Sequence, residues 1–280
     1  MDENNHTSFD GVGNLKFGIL FWANKFYQHF HFIGSFLEKY RKQIFEESGR
    51  NIDSILKRVD KFERGWSKVF EFFQEEEINE ENLNGLDDFN EQTMEMYENI
   101  QDVFKSNKIP CVPSLLEHMM EELQYFQTAI LQNDFNLLLE IAWWANEHAE
   151  NIDFVDCELP RLLKVSWSHW QKIPQIVKMM FENRKLAYEF KNIHRNAKEI
   201  LNNQVAYSKE DIDLLYYNIM AAKLKHFNAI RTLESELPHL PLEEDDKRLT
   251  YDLLEHEYSE ALFAKQRITH FFKNEDYFEE

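Results

Sequence analysis

Turn formers are scarce in this sequence, with 7 glycines and 6 prolines among 280 residues. A strand-rich fold needs many turns, so the shortage argues against one and favours long helices. Cysteine is rarer still. Cys111 and Cys157 make no disulfide framework and match no zinc spacing, which fits a reducing cytosol. Basic residues are outnumbered 31 to 51, and the resulting net charge of −20 repels phosphate backbones, so a nucleic-acid partner is not expected. Long apolar runs are missing as well. The most apolar early stretch, residues 17–37, is interrupted by Asn24, Lys25, Gln28, His29 and His31, too many polar groups for a membrane span. The opening residues, Met1-Asp2-Glu3-Asn4-Asn5, are acidic where a secretory signal would be basic, so a cytoplasmic location is expected. No glycine-rich phosphate loop occurs, because Gly11-Val12-Gly13 belongs to a polar tail, and no nucleotide cofactor is expected. No nucleophile elbow or Cys-His dyad can be assembled from spacing.

What is present is helical periodicity. Hydrophobic residues make up 43% of the chain, enough for a sizeable core. Apolar residues recur at alternating three and four spacings in eight segments. The first stripe carries Ile19, Trp22, Phe26, His29 and Ile33, and the second Val59, Phe62, Trp66 and Phe73. A polar stretch, residues 75–88, reads as a solvated linker before a weaker third stripe of Thr93, Met96, Ile100 and Val103. Leu116, Met119, Leu123 and Phe126 mark the fourth. Ile141, Ala145, His148 and Ile152 belong to the fifth, which Pro160 should break. Pro174 should open the sixth and Ser208 cap the seventh, whose stripe includes Ile219, Ala222, His226 and Leu233. The eighth shows Leu254, Glu257, Ala261, Ala264 and Ile268. This spacing predicts an all-α protein of two tandem up-down four-helix bundles, over residues 1–133 and 134–280.

The halves look like copies. Leu115-Leu116-Glu117-His118 resembles Leu253-Leu254-Glu255-His256, and each His is followed four residues later by a glutamate, Glu122 or Glu260. Phe21-Trp22-Ala23-Asn24 resembles Trp143-Trp144-Ala145-Asn146; a registration shifted by three residues instead sets His29 over His148 and Ile33 over Ile152. The second matches buried positions and is preferred.

Residues 21–33, 115–126 and 142–159 resemble an uncharacterised bacterial family, a domain of unknown function with a ferritin-like, duplicated helical arrangement. Its motifs appear here as Phe21-Trp22, Gln28-His29 and Phe32-Ile33, then Glu117-His118-Met119 with Glu122 and Tyr125-Phe126, then Trp143-Trp144 with Glu147-His148. Gln28 departs from the family's usual acid, and the helix of His256 and Glu260 lacks the following Tyr-Phe. The resemblance implies a fold and names no activity.

The candidate chemistry lies in histidines and glutamates. His29, His148 and His226 sit on apolar stripes, where an imidazole needs a partner. His118 with Glu122, and His256 with Glu260, share a helix face at four-residue spacing and could jointly ligate Fe, Mn or Zn. Ferritin-like di-iron sites use Glu-x-x-His from two helices. The one such spacing, Glu236 to His239, runs through Pro238, so a di-iron oxidase is disfavoured. A mononuclear site is expected, drawn from His29, His118 and Glu122 in the first half and from His148, His226, His256 and Glu260 in the second. Its affinity should fall below about pH 6, where imidazoles take up protons. The competing expectation is a scaffold without metal, such as the ferritin-like proteins of spore coats, in which the histidines are ordinary core residues. A homo-oligomer or a protein partner fits either.

Overall fold

Each helix forms where an apolar stripe can be buried, and side-chain caps mark the starts of three of them, at Asn79, Asn136 and Ser208. The computed structural model describes residues 15–134, 136–162, 174–202, 208–240 and 242–274. In chain order these form α1 (Leu15–Ser48), α2 (Asp53–Glu75), α3 (Glu80–Ser106) and α4 (Val112–Tyr125), which continues into a π-helical segment, Phe126–Leu131. Then come α5 (Leu137–Leu162), α6 (Pro174–Leu201), α7 (Lys209–Glu236), a 3-10 turn at Leu237–His239 and α8 (Glu244–Asn274). No strand occurs among the described residues. No described helix is long and apolar enough to cross a membrane. Gly11-Val12-Gly13 lies outside the described residues.

Helix ends explain two departures from expectation. Residues 75–88 are not one solvated linker, because α3 begins at Glu80. The Asn79 side chain accepts from the Asn82 backbone N–H, and the Asn82 side chain accepts from the Asn79 backbone N–H. Glu80 and Glu81 occupy the first turn, where the helix dipole favours negative charge. Pro160 does not end α5, which runs on to Leu162. A proline this close to a C-terminus removes one hydrogen bond from a last turn that is already incomplete. Elsewhere the punctuation works as expected. Pro174 opens α6, and the Ser208 hydroxyl accepts from the Asp211 backbone N–H at the start of α7. Gly49, at φ +66°, takes the left-handed conformation that closes α1.

The chain divides into two compact units, Met1–Asp134 and Phe135–Glu280. In the first, α1 packs on α2 and α3 on α4 around Trp22, Phe26, Phe30, Trp66 and Tyr97, all buried. The Trp66 indole N–H donates to Thr93 at 3.1 Å. In the second, α5–α6, α6–α7, α7–α8 and α5–α8 contacts close a ring around Ile141, Trp144, Phe190, Ile219 and Phe263. Neither cysteine is a free thiol, which removes the reduced-thiol ground for expecting a reducing compartment.

Candidate metal centre

The second unit gathers three ligand-bearing side chains from three helices. His148 projects from α5, His226 from α7 and Glu257 from α8, and all three are buried. His148 Nδ1 lies 3.4 Å from Glu257 Oε1, and His226 Nε2 lies 3.2 Å from the same oxygen. One ligand atom from each lies within 4.8 Å of the other two. Phe190 packs on both imidazoles, at centroid distances of 5.3 and 5.8 Å, and Trp144 lies 5.7 Å from His148. These apolar walls lower the local dielectric and sharpen every charge inside.

Lys223 completes this core. It is buried on α7, lies against His148 Nε2, and donates to the Ala261 carbonyl at 3.2 Å. Burial pushes the amine well below its usual range, although Glu257, Glu147 and Glu260 pull the other way. A neutral amine can accept the proton of His148 Nε2–H, and that tautomer turns the Nδ1 lone pair toward Glu257. Burial, with Lys223 adding to it, also lowers His226 to about 3 against the opposing charge of Glu260. Its 3.2 Å contact with Glu257 is therefore that of a neutral imidazole, the form a metal requires.

The His226 shift has a sign that can be tested. Below pH 6.5 the unfolded chain takes up a proton that the folded chain refuses until about pH 3, so stability falls as pH drops through this window. One such group gives a slope of up to about 1.4 kcal/mol per pH unit. Urea unfolding between pH 7 and pH 4.5 should therefore show a shallower loss for His226→Leu than for wild type; parallel losses would mean that His226 titrates normally.

The remaining predicted residues fall into two further groups, one in each unit. His256 Nε2 lies 2.6 Å from Glu260 Oε1, and Asn151 reaches both Glu260, at 3.4 Å, and Glu147, at 3.3 Å. Adjacent residues on a helix project about 100° apart. That is why Glu257, and not its neighbour His256, meets His148 and His226. In the first unit His29 Nε2 lies 3.1 Å from Glu122 Oε2, and His118 Nε2 lies 3.8 Å from Glu122 Oε1. Tyr97 on α3 brings its hydroxyl 3.4 Å from His29 Nδ1. Burial, aided by the Glu122 charge, raises the Tyr97 phenol well above its usual range, so it stays protonated.

Sequence reasoning missed Glu257, Lys223 and Tyr97 as functional candidates. Glu257 did carry a signal, as the one charged residue on the eighth apolar stripe. No protein-family model, curated protein or solved structure matches the chain.

Proposed function

We propose that this chain is a metal-binding protein of the ferritin-like, duplicated helical type, two four-helix bundles in tandem, holding a transition-metal ion in its second unit through His148, His226 and Glu257. The observation that carries this reading is the convergence of three buried ligand atoms from α5, α7 and α8 within 4.8 Å. Two imidazoles and a carboxylate suit zinc, iron(II) or manganese. Support for duplication comes from a shared arrangement. In each unit a third-helix side chain meets one nitrogen of the first-helix histidine, and a fourth-helix glutamate meets the other. These chains are Tyr97–His29–Glu122 and Lys223–His148–Glu257. The family resemblance, with the bacterial origin it implies, is part of the same proposal.

One observation favours a second reading, that of a scaffold with no metal. The Lys223 amine already lies against His148 Nε2 and donates to the Ala261 carbonyl, so this polar core has a partner from the protein itself where a metal would otherwise serve. Elemental analysis of full-length chain purified without chelators or a His-tag separates the two. One equivalent of Fe, Mn or Zn, lost in Glu257→Gln, is expected. No metal, even after reconstitution with each ion, would leave the scaffold reading standing.

A further inference from the structure

We infer that the His148–His226–Glu257 centre keeps a coordination position for a small exogenous ligand, reached from solvent through the groove between α6 and α7. This rests on the metal-binding reading above and adds what the metal would do. Among the described residues the group comprises three side chains, and three protein ligands with an added water is the pattern of reactive metal sites, whereas structural sites close with four.

Two spaces carry the inference. A cleft of about 20 Å³ is lined by His226 and Glu257 with Asn151, Asn183 and Ala229, and the rest of its wall is aliphatic, from Ile152 to Leu254. That volume holds about one water, which needs two to four polar partners, and the two asparagines, the imidazole and the carboxylate can provide them. A groove of about 350 Å³ lies outside it, between Glu182, Lys185 and Glu189 of α6 and Lys225 and Asn228 of α7. Asn183 and Ala229 line both spaces, so they are the two residues that stand between the groove and the cleft beside His226 and Glu257. Asn183 is buried, and its amide is tethered at 3.5 Å to Asp156. Ala229 is the smallest wall residue there, and a larger side chain at that position would close the passage.

The ligand class is therefore water or hydroxide, or an inorganic anion small enough to coordinate through one atom and lie along the cleft. A bulky organic group does not fit the inner cleft, whose 20 Å³ holds about one water.

Cobalt(II) loaded into the full chain provides the test, because its visible absorption responds to a change of coordination. Titrating the cobalt protein with azide should shift the spectrum saturably. Ala229→Leu should bind cobalt at the same stoichiometry but respond to azide at least tenfold more weakly, and Ala229→Ser should keep the wild-type response. Cobalt bound without any azide response in the wild type would overturn the open position while leaving the metal site intact. An Ala229→Leu response equal to wild type would overturn the route. Failure to bind cobalt at all would instead remove the metal-binding reading, and this inference with it.

Discussion

Replacing Arg267 with methionine is expected to cost the second unit about 3–5 kcal/mol, the range for removing one partner of a buried ion pair. The Arg267 Nε of α8 donates to Glu140 Oε1 of α5 at 3.0 Å, and its Nη2 donates to the same oxygen. Glu140 has no exposed surface, and its second oxygen accepts from the Trp144 indole at 2.9 Å. The guanidinium also packs over Phe271 at 5.0 Å. Taking away the cation leaves a carboxylate in an apolar interior that cannot solvate it. The double change Glu140→Leu, Arg267→Met removes the stranded charge, and well-packed apolar replacements of buried pairs are often neutral. Urea unfolding followed by tryptophan fluorescence should therefore show the double variant recovering most of the loss. A single variant within about 1 kcal/mol of wild type would place this pair with the weak surface bridges.

The Glu140–Arg267 pair also shows where the sequence stops being readable. The two residues lie 127 positions apart, and no local pattern links them. Lys223 and Tyr97 were hidden for the same reason. Each looks polar among apolar neighbours until the facing helix shows which imidazole it meets. Helical stripes were readable because burial imposes the three-four spacing on every inward position, and that spacing singled out His29, His148 and His226. The choice between Glu257 and Glu260 was not, since the two lie three residues apart and only about 60° around the helix separates their directions. Local capping also outweighed composition. Glu80 and Glu81 belong to a helix because Asn79 and Asn82 cap each other, and acidic density alone suggested a linker.

The second large effect concerns the metal itself. His226→Ala should weaken binding by about two orders of magnitude, because structural zinc sites draw roughly 10–16 kcal/mol from four ligands and one imidazole then carries about 3 kcal/mol. The pH dependence is more discriminating. Two ordinary imidazoles would each compete for protons near pH 6.5, so affinity would fall by about two decades per pH unit below that point. Burial and Lys223 hold His226 at about 3, which moves its share of the competition far below the range first expected from the sequence. Between pH 6 and pH 4.5 the wild-type slope should therefore lie about one decade per pH unit below that two-imidazole value. Calorimetric titration with zinc across this range measures the slope directly. A two-decade slope would show that His226 takes up protons like an exposed histidine, and that the dry core around Phe190 and Trp144 does not control this site.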